Sequence, residues 1–380
     1  MPFYLPPWPQ HGAREEQLVG ETVRSGSWWR NEGTAVTAFE QEFAELEETP
    51  FVLALTNGTN ALELALMSAN IERGAHVIIP AVTFFSTWSA VQRHGATAVL
   101  ADIDLDTWTL DPTAARIAAA GTGATAVVPV HYGGVPAPLD ELEDSAPVLI
   151  QDAAHGPGIR FGGAPLIRAG GIVCWSFQHS KLLPGGEGGA IGLADEEVYR
   201  RALALQNCGR MPGIPGYDHR AVASNYRMPE LTGALLRAQL ERFAELSLRR
   251  ADGAARLRAR LAAIDGVVLQ RTRPSDTESH YLIQARLASQ SEAARDAIVE
   301  RLVAQGVPVN RSYPPLFEVS AYGASGHDAV EAAERCPNAT LIGRTGLSFH
   351  HQLLLAPPDD LERVGDMVEE AVMSAKEITA

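Results

Sequence analysis

Lys181 is the residue in this chain best placed to act as a nucleophile. It follows the run Ile172-Val173-Cys174-Trp175-Ser176-Phe177-Gln178-His179-Ser180 and precedes the glycine-rich turn Pro184-Gly185-Gly186-Glu187-Gly188-Gly189. The apolar residues Ile172, Val173 and Cys174 predict a strand, so the lysine falls on a strand-to-loop exit shielded from water. Stripping an ammonium of solvent is costly, and such a site favours a depressed pKa and a nucleophilic amine. That is what a Schiff-base lysine requires. By itself, a lysine among 31 basic residues describes a solvent-facing side chain equally well.

A second feature gives Lys181 a partner. The stretch Val148-Leu149-Ile150-Gln151-Asp152-Ala153-Ala154-His155 predicts a buried strand that ends in a carboxylate, Asp152. A lysine for the aldehyde and an acid on the pyridinium nitrogen are the two demands of pyridoxal phosphate. His155, three residues on, falls near the same edge, where it can hydrogen-bond the ring's phenolic oxygen; the alternative is a surface histidine. Thr56-Asn57-Gly58-Thr59-Asn60-Ala61-Leu62 sits where a strand turns into a helix, and free N–H groups, hydroxyls and a glycine there make an anion site. The plain alternative is an N-cap at Thr59 or Asn60. Phe84, in Thr83-Phe84-Phe85, is placed to stack on a flat ring or to pack in the core. His350 and His351, read as lying on a strand, point to opposite faces, so at most one faces a site. No third ligand accompanies them, and no metal is expected. The pair Trp28-Trp29 reads as packing.

These residues need a frame, and the chain supplies a regular one. Strands are predicted at Phe51-Leu55, His76-Pro80, Thr97-Asp102, Ala124-Val130, Val148-Gln151 and Ile172-Ser176, with helices at Asn60-Ala69 and Thr87-His94 among the spacers. Near-continuous apolar strands alternating with helices indicate an α/β fold with a mainly parallel sheet covered on both faces. Ligands on such sheets bind beyond the carboxyl ends of the strands, where Thr56, Asp152 and Ser176 fall. Earlier, a proline-rich arm of the kind that lies on a neighbouring subunit precedes a helix from Ala13 to Arg24. Later, a long helix from Met228 through Leu246 and a second from Ala254 to Ile264 lead to a boundary near residue 250. Residues 1–250 are thus expected to form a large domain with the arm, and 251–380 a smaller α+β domain.

Composition excludes several classes. The 380 residues are 46% apolar and 20% charged, ordinary for a globular protein. No apolar run reaches the ~20 residues that span a bilayer, and no signal peptide is evident. A net charge of −15 opposes nonspecific nucleic-acid binding. Cys174, Cys208 and Cys336 lack CxxC spacing, so neither a disulfide framework nor a zinc site is expected, and a reducing, cytoplasmic setting fits.

Several motifs, in order along nearly the whole chain, resemble the DegT/DnrJ/StrS family of pyridoxal-phosphate (PLP) aminotransferases. They are Asn57-Gly58-Thr59-Asn60-Ala61-Leu62, Pro80-Ala81-Val82-Thr83-Phe84, Asp152-Ala153-Ala154-His155, Ser176-Phe177-x-x-x-Lys181, Gly186-Glu187-Gly188-Gly189 and Ser224-Asn225-Tyr226-Arg227-Met228. The resemblance implies an aspartate-aminotransferase-like fold of type I. It implies that Lys181 forms the Schiff base and moves the proton, that Asp152 holds the pyridinium nitrogen, that His155 contacts the ring oxygen and that Phe84 stacks on the ring. Gly58, Thr59 and Ser176 would hold the phosphate, and Asn225 would reach the phosphate of a neighbouring subunit's cofactor, making a homodimer with shared sites.

Within the family, Pro7-Trp8-Pro9-Gln10, Gly26-Ser27-Trp28-Trp29-Arg30, Cys208-Gly209-Arg210, Ser279-His280-Tyr281 and Phe349-His350-His351-Gln352-Leu353-Leu354-Leu355 resemble the 3-amino-5-hydroxybenzoate synthase branch. Tyr313-Pro314-Pro315-Leu316-Phe317 is closer to the sugar-aminotransferase pattern, with Phe317 where a histidine is usual. By this resemblance Trp29, Tyr313 and His350 are candidate substrate residues. The expected reaction moves an amino group from glutamine or glutamate, through the pyridoxamine form of the cofactor, to a cyclic keto compound of antibiotic biosynthesis. Aromatising elimination through the same Lys181 is the alternative, followed by a nucleotide-sugar aminotransferase. A regulator without activity has no need of both Lys181 and Asp152. A sugar dehydratase of the family would carry a histidine in place of the lysine, and His179 comes two positions early.

Overall fold

Short runs of β-branched and small apolar residues pair into two main sheets, in a structure that is a computed structural model. It describes residues 3–379 apart from 212, 213, 215, 216, 289 and 290. The strands are β1 (Phe51–Leu55), β2 (His76–Pro80), β3 (Thr97–Ala101), β4 (Ala126–Val127), β5 (Val148–Asp152), β6 (Arg160–Phe161), β7 (Ala164–Pro165), β8 (Ile172–Ser176), β9 (Gly189–Leu193), β10 (Val267–Leu269), β11 (Leu282–Leu287), β12 (Val309–Arg311) and β13 (Gly346–His350).

The large sheet has seven strands in the order β1-β9-β8-β5-β4-β2-β3. All its pairings are parallel except those of β9, which runs against both β1 and β8. The mainly parallel α/β sheet read from the sequence is therefore present. Alternate residues of β1 serve opposite faces, Leu53 and Leu55 in one apolar cluster and Val52 and Ala54 in another. The strand expected over Ala124-Val130 pairs as a regular ladder only at Ala126–Val127. Pro129 has no N–H to continue it, although its carbonyl still accepts from Asp152 N at 2.9 Å.

The second sheet, β10-β11-β13-β12, is antiparallel and carries its own core with the helices Glu292–Ala304 and Pro358–Thr379. The single helix expected from Met228 to Leu246 is two, Glu230–Glu241 and Phe243–Ala262, with Arg242 between them. The latter passes residue 250 unbroken; its Phe243 packs in a large-sheet cluster and its Ala254, Leu257 and Leu261 in the small one.

The proline-rich arm makes contacts with its own chain. Tyr4 N donates to Asp360 Oδ2 at 3.0 Å and Gln352 Nε2 to the Pro6 carbonyl at 2.6 Å. Phe3 and Leu5 supply the apolar reason, since they pack against the small core. The three cysteines are free, and among the described residues no helix is long and apolar enough to cross a membrane.

Glu47, at the end of the helix Ala35–Glu47, is buried with one oxygen accepting Gly158 N–H at 2.8 Å and the other unpartnered. Burial pushes its pKa from 4.5 to about 7, against the pull of Gly158 N–H and Arg160. A folded-state pKa above the unfolded one gives stability that is full below pH 4.5 and lost as pH rises through about 7. The loss amounts to at most ~3 kcal/mol. Glu47→Gln should therefore gain thermal stability relative to the unaltered protein as pH is raised from about 5 to about 8, a trend that thermal unfolding at several pH values checks.

Candidate active site

β5 and β8 are parallel neighbours, with Asp152 in register with Cys174, so their carboxyl ends deliver Asp152 and Ser176 to one edge of the sheet. Beyond that edge is a cavity of about 650 Å³ whose lining includes Gly58, Thr59, Phe84, Asp152, His155, Ser176, Lys181 and Tyr313. A larger cleft, about 940 Å³, lies between the arm and the helix Phe243–Ala262, but it contains none of these residues. Chemistry rather than size selects the first.

Asp152 is buried, and both its oxygens are engaged. Oδ2 accepts the Thr87 hydroxyl at 2.7 Å and Oδ1 accepts Ala154 N–H at 3.1 Å. Thr87 is held in turn by Thr83, the two hydroxyls 2.8 Å apart. Burial raises the Asp152 pKa, while Thr87, Ala154 N–H and the Lys181 ammonium oppose the rise. Each carboxylate oxygen keeps a second lone pair, so a cationic donor facing the cavity would complete the site. Thr87 lies 65 residues from Asp152, and nothing in the sequence singles it out.

His155 is buried against Tyr281, ring centroids 4.2 Å apart and 27° from parallel. Its Nδ1 accepts Gly133 N–H at 3.2 Å. Burial pushes its pKa well below the usual range, and Lys181 and His350 push the same way. The ring is thus neutral with its proton on Nε2, a donor suited to a phenolate-like oxygen.

At the other end of the cavity, the helix Gly58–Ser68 presents its first turn. Its N-cap is Asn57, whose Oδ1 accepts Asn60 N–H at 2.8 Å. The cap is therefore neither Thr59 nor Asn60, because Asn57 is the residue with extended backbone ahead of the first helical turn. This leaves the Thr59 hydroxyl to meet Ser86 Oγ at 2.7 Å on the cavity wall, and Ser86 is a hydroxyl that sequence reasoning missed. Gly58 approaches β8 so closely that a Cβ there would meet Ser176 Cβ at 2.7 Å and Cα at 3.3 Å. A phosphate fits this cradle of N–H groups and hydroxyls. Gly58→Ala should lower PLP affinity at least ~10-fold and cost about 1–3 kcal/mol by overpacking, measured by cofactor titration and by denaturation.

Lys181 is half-buried rather than fully shielded, with Nζ 4.7 Å from the centre of the Tyr281 ring. It and Lys376 are the only lysines of the sequence. Phe84 is 56% exposed, its ring 5.8 Å from that of Tyr313, as an aromatic awaiting a stacking partner would be. Tyr132 and Tyr281 complete an aromatic wall around His155, and no spacing marks them in advance.

Three candidates lie elsewhere. Asn225 and Trp29 are exposed and meet at Arg227, whose N–H donates to Asn225 Oδ1 at 3.2 Å and whose guanidinium sits 5.8 Å from the Trp29 ring. Neither lines the cavity. His350 ends β13 behind Tyr281, ring centroids 6.0 Å apart. Its ring is only 4.2 Å from that of His351, so the two do not diverge to opposite faces. The strand stops at His350 and His351 already belongs to a turn, which removes the alternation.

The chain matches the DegT/DnrJ/EryC1/StrS aminotransferase family over residues 9–369. It belongs to that family. As a DegT/DnrJ/EryC1/StrS protein it is a PLP-dependent enzyme of the aminotransferase class, with the α/β fold of such enzymes. It is 38% identical to the 3-amino-5-hydroxybenzoate synthase of Amycolatopsis mediterranei, over 98% of each chain. A putative L-glutamine:3-amino-2,3-dideoxy-scyllo-inosose aminotransferase of Streptomyces kanamyceticus is 33% identical over 88% of this chain and 84% of that one. Among solved structures, a 3-amino-5-hydroxybenzoic acid synthase superposes with a TM-score of 0.94 at 36% identity, covering 98% of this chain and 100% of its own.

Proposed function

We propose that the protein moves an amino group from an amino acid, glutamine or glutamate, to a cyclic keto acceptor in antibiotic biosynthesis, with Lys181 as the reacting amine. The observation that carries this is that Lys181 and the buried Asp152 open on one cavity whose far end is the Gly58-Thr59 turn. PLP, when bound, supplies an electron sink for the carbon that gains and loses the amino group.

The chain's own groups do the rest. Asp152 would hold a protonated ring nitrogen against the pull of solvent, with Thr87 and Ala154 fixing the carboxylate. His155 would donate from Nε2 to the ring oxygen. Gly58, Thr59 and Ser176 would hold the phosphate, and Phe84 would cover one face of the ring. Lys181, on the turn beside Tyr281, would then move a proton between carbon and cofactor. Tyr313 is on the cavity wall in reach of an acceptor, whereas Trp29 and His350 would act from its margins. Asn225 and Trp29, exposed together outside the cavity, fit a homodimer in which Asn225 serves the partner's phosphate. In this reading residues 1–250 are the cofactor domain, 251–380 the small domain, and the free cysteines suit the cytoplasm.

A visible spectrum of the PLP-loaded protein, taken before and after addition of glutamine, tests the reading. A yellow band that bleaches supports the donor half-reaction; a band unmoved by any amino acid defeats amino transfer. The 38% identity to a 3-amino-5-hydroxybenzoate synthase favours one second reading, aromatising loss of water from an amino-cyclohexadiene acid through the same lysine. An unmoved band together with release of an aromatic product would select it.

A further inference from the structure

The two peptide units that lead into Lys181 are each held from outside their own loop. The indole Nε1–H of Trp8, in the N-terminal arm, donates to the carbonyl of His179 at 3.2 Å. Nε2 of His351, just past β13, lies 2.9 Å from the carbonyl of Ser180 and must donate to it. Within the turn, His179 N–H donates to the Gly186 carbonyl, Ser180 N–H to Gln178 Oε1 and Lys181 N–H to the Gln178 carbonyl, each at 2.8 Å. The peptide groups of His179 and Ser180 are thus fully paired, and half of the pairing comes from the arm and the small sheet.

The two outside donors are braced against each other. The Trp8 ring meets His351 edge-on, centroids 4.6 Å apart at 85°. On Trp8 also sits the guanidinium of Arg250, 5.1 Å from the ring centroid. Arg250 is 0% exposed, and none of its three nitrogens has a hydrogen-bond partner among the described residues. A desolvated cation without a counter-ion is drawn strongly to the face of a tryptophan. Burial keeps His351 neutral, with its pKa well below the usual range, as a single Nε2–H donor needs.

We propose that Trp8 and His351, braced by Arg250, are positioning residues for the Lys181 amine: the arm clamps the turn that carries the lysine and fixes where Nζ stands relative to Asp152 and Tyr281. The inference rests on Lys181 being the reacting amine. Trp8→Phe keeps the ring between Arg250 and His351 but removes the donor. His351→Gln keeps a side-chain N–H for the Ser180 carbonyl, and His351→Leu removes it.

In the cofactor-free, full-length protein, acetylation of Lys181 by acetic anhydride is followed against pH by peptide mass spectrometry, with Lys376 as internal reference. Trp8→Phe and His351→Leu should change the rate at Lys181 relative to Lys376 by roughly 10-fold, the change in free-amine fraction that a ~1.4 kcal/mol change in the surroundings of Nζ brings, with His351→Gln close to the unaltered protein. Identical relative rates and midpoints in all four proteins overturn the proposal. So does a change that only tracks a fall in thermal midpoint, with His351→Gln no better than His351→Leu. A PLP absorbance band in the unaltered protein, measured alongside, separates the two readings. A labelling change without the band supports the clamp and defeats only the cofactor role of Lys181; the band with no labelling change defeats the clamp.

Discussion

Lys181→Ala abolishes turnover while the protein still folds and still takes up PLP without the yellow band of the lysine adduct. The proton-moving role alone is worth ~10²–10⁴-fold, and loss of the covalent attachment adds to it, so a fall of roughly 10⁴-fold or more is expected. Folding survives because the side chain is only half-buried, with Nζ over the face of Tyr281. In the proposed reading the Gly58-Thr59 cradle and Phe84 would still bind the cofactor. Single-turnover absorbance with glutamine measures the loss, and multiple turnovers in this variant would sink the mechanism.

Asp152→Asn carries the second largest effect. The amide keeps the shape and can still accept from Thr87, but it cannot offset a positive charge on a ring nitrogen. Removing one partner of a buried ion pair costs about 3–5 kcal/mol. That corresponds to roughly a 150- to 5,000-fold lower kcat/KM, with PLP still bound by its phosphate. Asp152→Glu should recover little, because Thr87 and Ala154 N–H fix the present carboxylate at the end of β5 with bonds of 2.7 and 3.1 Å. Steady-state kinetics of the three proteins decides it; equal kcat/KM for the aspartate and asparagine forms would remove Asp152 from the reaction.

The half of the fold that carries the site is legible in the sequence because parallel strands buried on both faces read as continuous apolar runs. β9 escapes that reading. Gly189-Ala190-Ile191-Gly192-Leu193 carries two glycines and looks like the tail of a turn. The glycines serve closeness instead: a Cβ at Gly192 would meet the Trp175 ring at 2.6 Å, and one at Gly189 the Asn57 carbonyl at 2.4 Å. Among site residues, Asp152, Ser176 and Lys181 are legible because each ends or follows a strand. Thr87 and Ser86 are not, since their partners come from distant elements and a hydroxyl has no distinguishing pattern. The scarcity of lysine, only Lys181 and Lys376, was an available signal stronger than the local spacing.

The helix Phe243–Ala262 bears on how the molecule comes apart. It has one end in the core of the parallel sheet and the other in the core of the antiparallel one. A rod shared by two cores makes each an obstacle to the other's melting, since neither can lose its packing without exposing apolar surface on the common helix. The arm adds a second tether by fastening residues 4 and 6 to Asp360 and Gln352. Heat or denaturant is therefore expected to meet one cooperative unit.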